Sequence, residues 1–203
     1  MLREPIDIRE GETVVLWSGW LGPDADAARY RFPAGAPTWT PDAWAAFEDV
    51  LGATLAEASR RGTQILLRPH SRHMASDVPS IQKTLSLFED PRLGLLLDPA
   101  MMLSADMLPD AADHLLRILE ALGGHPRTAA VLLTGVERAG SDGDPPTPCP
   151  LSHGEFDRED LLGVLRAAGP RETPIAILDD EVDAQERLLA EAGLLSSLPK
   201  PAT

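Results

Sequence analysis

The most informative stretch of the sequence is LGLLLD at residues 93–98, an uninterrupted apolar run that ends in a carboxylate. A strand that is apolar at every position is typical of a parallel sheet covered on both faces. Asp98 at the end of the run costs solvation free energy unless it has a partner or faces a polar opening. The stretch therefore predicts a buried parallel strand that ends either in a metal ligand or general base, or in the cap of a turn.

Four more apolar runs of strand length occur along the chain, at residues 13–18, 64–70, 128–134 and 174–179. Stretches with the spacing of amphipathic helices separate them. Continuous alternation of strand and helix predicts an α/β fold with one parallel sheet and helical crossovers. The pattern alone favours an open doubly wound sheet, because a closed eight-stranded barrel typically needs ~250 residues and this chain has 203.

Capping residues indicate where the helices begin and end. Thr40 and Gly62 are predicted to bound the first helix, and Asp77 and Asp157 are predicted to cap two others. Two further helices are predicted, at residues 108–122 and 182–192. Long loops are predicted at residues 19–38 and 140–150.

No stretch of the sequence has the composition of a linker, so we expect a single domain over residues 1–203, with residues 196–203 as a frayed tail. The chain is 43% hydrophobic and 25% charged, which are ordinary values for a globular protein. The 18 Lys and Arg against 32 Asp and Glu give a formal net charge of −14. This charge argues against nucleic acid or an anionic membrane surface as a partner.

Cys149 is the only cysteine, so no intrachain disulfide can form. Its position in a proline-rich stretch predicts an incidental loop thiol, because a nucleophilic thiolate needs a base and a helix terminus nearby. The amino-terminal residues contain no apolar signal region, and no apolar run approaches the ~20 residues that span a bilayer. We therefore expect a cytoplasmic protein.

Charged and polar side chains stand at the carboxyl ends of the predicted strands, which meet at one edge of a parallel sheet. They predict a site made of Asp98, His70, Arg68, Glu137 and Asp179. Asp98 is a candidate general base or metal ligand, and His70 is a candidate ligand or proton carrier. Arg68 is a candidate grip for a substrate phosphate or carboxylate, or an ion-pair partner of Asp98 or Asp179. Glu137 and Asp179 are candidates for binding the substrate.

Three motifs in register resemble the sugar phosphate isomerase/epimerase family, the xylose isomerase-like TIM barrels. They are ILLRPH at residues 65–70, PRLGLLLDPAM at 91–101 and PLSHGEFD at 150–157. The resemblance extends from about Thr13 to Leu195 and covers the last five of the β/α units in an eight-unit barrel. It implies one xylose isomerase-like domain with a partial (β/α) TIM-barrel-like parallel sheet of about five β/α units, from which the first three are absent.

The resemblance also implies a divalent metal, Mn, Zn or Mg, held by carboxylates and histidines at the barrel mouth. Such a metal polarises a small sugar-like or hydroxy-carbonyl substrate while a carboxylate moves a proton. Asp98 and His70 match the motifs of the family, which implies that they are catalytic residues and metal ligands. However, Arg68 stands where the family has Glu, and Met101 stands where it has His. The departures imply a metal site that is largely lost, or rebuilt from Asp98, Glu137, Asp179 and Asp180.

Two hypotheses about function follow from these features. The first is an isomerase or epimerase acting on a small polar substrate. The second is a non-catalytic relative, a pseudoenzyme that serves as a binding or scaffold subunit, since fold does not determine function. Five strands without the first three leave two parallel edges, and exposed edges are prone to pair with other strands. We therefore expect a homo-oligomer, or a partner chain that completes the sheet.

Overall fold

The computed structural model describes residues 10–19, 39–138 and 145–195. The predicted tail at 196–203 and most of the predicted loop at 19–38 lie outside these residues. The strands and helices, in chain order, are β1 (Thr13–Trp17), α1 (Pro41–Arg61), β2 (Gln64–Arg68), α2 (Val78–Leu87), β3 (Leu93–Leu97), α3 (Ala111–Ile118), β4 (Thr128–Leu132), β5 (Gly135–Glu137), β6 (Thr147–Cys149), α4 (Arg158–Ala168), β7 (Ile175–Ala176) and α5 (Val182–Glu191).

The main sheet has five parallel strands in the order β1-β2-β3-β4-β7, and β5 and β6 form a separate antiparallel hairpin. Each strand of the main sheet adds on the same side as the one before it, as in a barrel. This order confirms the predicted α/β fold with a partial TIM-barrel-like sheet of about five β/α units. The doubly wound sheet predicted from the pattern alone is wrong. In a doubly wound sheet the strand order reverses at a switch point, whereas the strands of this sheet follow one another in chain order.

The hydrophobic core lies between the helices and one face of the sheet. Its sheet residues include Leu67, Leu95 and Val131, which are buried together with Leu55 of α1 and Ile81 of α2. The registers pair Leu67 with Leu95, and Leu97 of the same face with Val131. The core positions of neighbouring strands therefore line up under the helices.

We call the opposite face of the sheet the inner face, since it corresponds to the interior of a closed barrel. It contains the residues that alternate with the core positions along each strand. These residues are Thr13, Val15, Trp17, Gln64, Leu66, Gly94, Leu96, Ala130, Leu132, Ala176 and Leu178. Arg68, at the end of β2, and Asp98, directly after β3, lie on the same face at its carboxyl end. The register thus carries both of these site residues to one edge of the sheet.

The predicted helix caps are confirmed. The Thr40 hydroxyl accepts the Ala43 N–H at the start of α1, and Gly62 ends the helix with φ of 64°. Asp77 and Ser80 form a reciprocal capping box at the start of α2. None of the helices that the structure describes is both long enough and apolar enough to cross a membrane.

Two predicted elements differ from the structure. The helix predicted at 108–122 is divided into a 3₁₀ helix (Ala105–Asp110), α3 and a π-helical turn (Leu119–Gly123). Pro109 interrupts regular helix formation at its start, since proline supplies no backbone N–H. The predicted loop at 140–150 contains β6, whose three residues are too short a stretch to show an alternating pattern.

At the amino ends of the strands, Arg127 joins two elements through their backbone. Its guanidinium donates hydrogen bonds to the carbonyl oxygens of Leu85, Phe88, Asp90 and Leu93, at 2.7 to 3.1 Å. These carbonyls belong to the end of α2, the turn after it and the start of β3. The Asp90 oxygen also accepts the Leu93 N–H, so this one side chain supplies a donor to four carbonyl oxygens in the region where the chain turns from α2 into β3.

Candidate functional site

An ion pair joins the carboxyl ends of two neighbouring strands. The Nη2 of Arg68 donates to the Oδ2 of Asp98 at 2.5 Å. The side chain of Asp98 is fully buried, and that of Arg68 is 12% exposed. The sequence left open whether Arg68 grips a substrate or pairs with Asp98 or Asp179, and the structure shows the pair with Asp98. Buried pairs of this kind are held by charge and hydrogen bonding together.

Other donors also hold the carboxylate of Asp98. The Thr134 hydroxyl donates to its Oδ1 at 3.4 Å, and the Met101 N–H donates to it as well. Burial raises the pKa of Asp98, while the guanidinium of Arg68 acts against this rise. The carboxylate is therefore fixed in place by three donors from three segments of the chain.

One aromatic ring contacts the ion pair, and two further rings pack against it. The guanidinium carbon of Arg68 lies 4.7 Å from the centroid of the Trp17 ring, a cation–π contact. Trp17 meets His70 and His73 edge-on, with centroids 5.8 and 5.2 Å apart. We call the group of Trp17, Arg68, His70, His73 and Asp98 the strand-end cluster. It combines residues from the ends of β1, β2 and β3 and from the loop after β2.

Both histidines of the strand-end cluster are buried, and their rings lie 4.7 Å apart. Burial lowers the pKa of His70 to about 2 and that of His73 to about 3. The Nδ1 of His70 accepts the Arg72 N–H at 3.1 Å, which assigns the ring proton to Nε2. Both rings are therefore neutral at physiological pH.

Sequence reasoning placed Asp98, His70 and Arg68 in one site, and the structure brings these three together. It missed Trp17 and His73 as members of the site. Trp17 had a detectable signal, because it stands one residue from the end of the first apolar run, in register with Arg68. The burial of His73 depends on how the loop after β2 folds, which spacing does not reveal.

Glu137 and Asp179 differ from the strand-end cluster in being exposed. Glu137 ends β5 of the hairpin, where it pairs with Thr147, and its side chain is exposed. Asp179 follows β7 and is exposed as well. Both stand on the edge of the sheet where strand ends meet, but Asp98 takes its hydrogen bonds from other residues. Their role in substrate binding stays a prediction.

The expectation of a loop thiol at Cys149 is wrong. Cys149 lies in β6 and is 5% exposed, packed against Gly135 and Gly154. Burial raises the pKa of this thiol to about 11, and the charge of Glu137 adds to the rise. The thiol is therefore protonated at neutral pH, which is the opposite of an activated nucleophile.

A buried glutamine ties the loops beside the hairpin to the end of the sheet. The Nε2 of Gln185 donates to the carbonyl oxygens of Leu178 and Asp180, at 2.9 and 2.6 Å. Its Oε1 accepts the Leu151 N–H at 3.0 Å. Because Gln185 is fully buried, these three bonds fix the loop after β7 against the loop after β6.

The residues of the site do not fit a divalent metal. Within residues 10–19, 39–138 and 145–195, no three His, Cys, Asp or Glu side chains are grouped so that they could hold a metal ion. Asp98 already carries the guanidinium of Arg68, a positive charge at the position where a cation would bind. Hard cations need several oxygen ligands with a net negative charge, and this arrangement supplies one neutralised carboxylate.

No protein-family model matches the sequence, and no curated protein matches it. Solved structures with a similar fold include a D-tagatose 3-epimerase-like protein, with a TM-score of 0.54 and 15% identity over 89% of this chain and 61% of that chain. Another is the probable 3-DHS dehydratase AsbF from Bacillus anthracis, with a TM-score of 0.50 and 12% identity over 90% of this chain and 62% of that chain.

The chain therefore spans about three-fifths of the length of these solved structures. Their similarity confirms the fold that the family resemblance implied, a partial TIM-barrel-like sheet. At 12% and 15% identity, a similar fold does not carry an activity with it.

Proposed function

We propose that this protein is a metal-independent, non-catalytic relative of sugar isomerases and epimerases, which binds a small hydroxylated molecule at the carboxyl ends of its strands. The observation that carries the proposal is the ion pair between Arg68 and Asp98. It neutralises the carboxylate on which either metal binding or proton abstraction would depend.

The charge at the strand ends supports the absence of metal chemistry. Arg68 stands at the position where the family resemblance implies Glu, and its guanidinium occupies the carboxylate of Asp98. The ring of Trp17 makes a cation–π contact with the same guanidinium. Arginine remains charged at any physiological pH, so a divalent cation at Asp98 would be repelled at close range.

The protonation states support the absence of proton transfer by histidine. General acid–base catalysis works best when the pKa of the group lies near the working pH. The pKa values of His70 and His73, about 2 and about 3, lie far below it. A neutral, buried imidazole still donates and accepts hydrogen bonds, so the two rings suit binding better than catalysis.

The ligand class follows from the fold and from its relatives. Ligands of parallel α/β barrels bind where the strands end, which is where the strand-end cluster lies. The similar structures include a D-tagatose 3-epimerase-like protein, so we propose a sugar-like or hydroxy-carbonyl ligand. Glu137 and Asp179, exposed at the same edge, are the carboxylates available to bind its hydroxyl groups. A cytoplasmic setting remains part of the proposal.

Metal binding by variants tests the proposal. After dialysis against chelator, the wild-type protein is expected to bind no Mn²⁺ by isothermal titration calorimetry. Arg68→Glu places a second carboxylate beside Asp98 and is expected to gain Mn²⁺ binding, whereas the matched Arg68→Gln variant is not. Adding Asp98→Asn to Arg68→Glu is expected to abolish the gain. Circular dichroism checks that each variant is folded.

One observation favours the alternative of an enzyme. Asp98 is buried and its pKa is raised, as for many catalytic carboxylates. An enzyme of this kind exchanges a substrate C–H with solvent, so deuterium uptake by a ketohexose in D₂O measures it. We expect no uptake above the uncatalysed rate. Uptake that is lost in Asp98→Asn, or one metal ion per wild-type chain that is lost in this variant, contradicts the proposal.

A further inference from the structure

A pocket of about 340 Å³ lies where the helices α3 and α4 begin, and none of its lining residues belongs to the strand-end cluster. The lining residues fall within 108–115 on the α3 side and within 155–161 on the α4 side. A volume of this size is at the lower end of the range for sites that bind small molecules. The pocket therefore has room for a small ligand.

The buried residues of the pocket lining are apolar. Leu108, Leu115 and Leu161 line the pocket and are only 5 to 7% exposed. All three belong to the hydrophobic core, and Phe156, which also lines the pocket, packs against that core. A hydrocarbon chain that covers such a surface removes apolar area from water. The ligand that fits this part of the pocket therefore contains an alkyl segment.

The charged residues of the pocket lining are all acidic. They are Asp110, Asp113, Glu155, Asp157 and Asp160, and no Lys or Arg is among the described residues that line the pocket. Helix amino termini often attract anions, but five carboxylates around the same opening repel them. The charge of the pocket therefore favours a cation.

Two of the five carboxylates are available to bind a ligand. Asp113 and Glu155 form ion pairs with arginines, and Asp157 caps α4 with its side chain. Asp110 precedes α3 but makes no capping hydrogen bond through its side chain. Neither Asp110 nor Asp160 forms an ion pair within the part of the chain that the structure describes. One unpaired carboxylate therefore stands on each side of the pocket.

The arrangement of these carboxylates suits an organic cation better than a metal ion. A divalent metal needs several oxygen ligands that converge on one point. In residues 10–19, 39–138 and 145–195, no three His, Cys, Asp or Glu side chains converge in this way. A cation with charged groups along an alkyl chain can reach the carboxylates on both sides while its carbons cover the apolar lining between them.

We infer that this pocket binds an aliphatic polyamine, with ammonium groups at Asp110 and Asp160 and with its alkyl chain against the buried leucines of the lining. Each terminal ammonium has three N–H donors for carboxylate oxygens. The formal net charge of −14 also attracts a polycation to the protein. The inference does not depend on the proposed function, because the pocket contains none of the residues on which that function rests.

Isothermal titration calorimetry of the full chain with spermidine tests the inference, at about 150 mM NaCl to screen general attraction between charges. We expect saturable binding of one spermidine per chain. The uncharged 1,8-octanediol, which has the same chain length, is expected not to bind. Asp110→Asn and Asp160→Asn are each expected to weaken spermidine binding by about threefold, as for partly exposed ion pairs. The matched control is Asp49→Asn at an exposed position of α1, which is expected to leave the affinity unchanged.

Filling the pocket without a change in charge provides a second readout. Ala112 lines the pocket and is partly exposed on α3. Ala112→Leu keeps a strong helix former at this position and is expected to weaken spermidine binding by about tenfold, because its side chain takes the space of the ligand. Ala53→Leu, at an exposed position of α1, is expected to have no effect. Circular dichroism checks that each variant is folded.

Four results would overturn the inference. They are no saturable binding of spermidine to the wild-type chain, binding of 1,8-octanediol with similar affinity, binding that Ala112→Leu leaves unchanged, and an equal loss of affinity in Asp49→Asn and Asp110→Asn. The last result would mean that spermidine responds only to the overall negative charge of the protein.

Discussion

Two histidine rings, His70 and His73, lie 4.7 Å apart at the strand ends, and neither is exposed. Burial lowers the pKa of His70 to about 2 and of His73 to about 3. Both values lie below the ordinary histidine pKa near 6.5, so the unfolded chain binds protons that the folded chain does not. The neutral rings therefore contribute stability that is complete above pH 6.5 and is lost as the pH falls below it.

We expect the free energy of unfolding to fall steeply with pH below about 5.5, by about 2.7 kcal/mol per pH unit for the two histidines together. Asp98 contributes with the opposite sign above its ordinary pKa, because burial raises its pKa and the folded chain retains a proton there that the unfolded chain has lost. Urea unfolding at pH 7.5, 5.5, 5.0 and 4.5 measures the slope. His70→Gln is expected to halve it, and His153→Gln, at an exposed ring, to leave it unchanged. Equal slopes in all three proteins would contradict this account.

Single residues show how far sequence can predict the site. Asp98 stands out because a carboxylate after an apolar strand needs a partner, and the structure supplies Arg68. Predicting whether Arg68 pairs with Asp98 or with Asp179 requires the strand order, which is a property of the whole sheet. The neutrality of His70 is equally out of reach of the sequence, because it follows from burial by segments distant along the chain.

At the scale of elements, helix ends follow local rules and were predictable. Thr40 and Asp77 cap helices through side-chain oxygens next to them in the sequence. The hairpin of β5 and β6 was not predictable, because each strand has three residues and Pro148 lies within one of them. Its pairing depends on contacts between two segments, and strands this short contain no local pattern that could reveal the pairing.

The side chain of Arg127 connects the end of α2 to the start of β3, and its removal is expected to lower the free energy of unfolding. Arg127→Met removes the side-chain donor of the carbonyl oxygens of Leu85, Phe88 and Leu93, and it leaves the Asp90 oxygen with only the Leu93 N–H. We expect a loss of about 3 kcal/mol in the free energy of unfolding, since unsatisfied partly buried acceptors each cost a fraction of their desolvation. Urea unfolding measures the loss.

The control for this prediction is Arg117→Met on α3. Arg117 makes an exposed ion pair with Asp113 at 2.8 Å, and its side chain is 71% exposed. Pairs of this kind on a helix surface contribute about 0.3 kcal/mol. A loss at Arg127 no larger than at Arg117 would show that the four hydrogen bonds are replaced by solvent at little cost.

At the scale of the whole molecule, the formal net charge of −14 opposes compactness through repulsion between carboxylates. Salt screens this repulsion within a Debye length. We therefore expect the melting temperature to rise by about 4 °C between 10 mM and 300 mM NaCl, as for a stabilisation of 1 to 2 kcal/mol in a domain of this size. Differential scanning calorimetry measures the shift.

A screening effect levels off as salt increases, and it is the same for NaCl and KCl. A rise that continues linearly beyond 1 M salt would instead indicate exclusion of salt from apolar surface. A melting temperature that falls with salt would mean that screening of exposed ion pairs, such as that of Arg117 and Asp113, outweighs screening of the repulsion.

The order of the strands is the whole-molecule property that pattern alone predicted wrongly. Alternating strands and helices fit both a doubly wound sheet and a barrel, since each unit has the same local signals. Only the resemblance in residues 65–70, 91–101 and 150–157 pointed to the barrel, and the order β1-β2-β3-β4-β7 agrees with it. The side on which each new strand joins the sheet is thus set by contacts between the β/α units, and no local signal within one unit reveals it.

The packing around Cys149 has a practical consequence. A Cβ added at Gly135 or at Gly154 would lie 2.9 Å from its Sγ, so the sulfur is enclosed by backbone on two sides. A thiol-specific dye reaches the sulfur only after these segments separate. Because the chain has a single cysteine, the labelling rate, compared with that of an unfolded peptide, reports how often this part of the molecule opens while the rest stays folded. The unaltered protein thus contains an intrinsic chemical reporter of its local breathing motions.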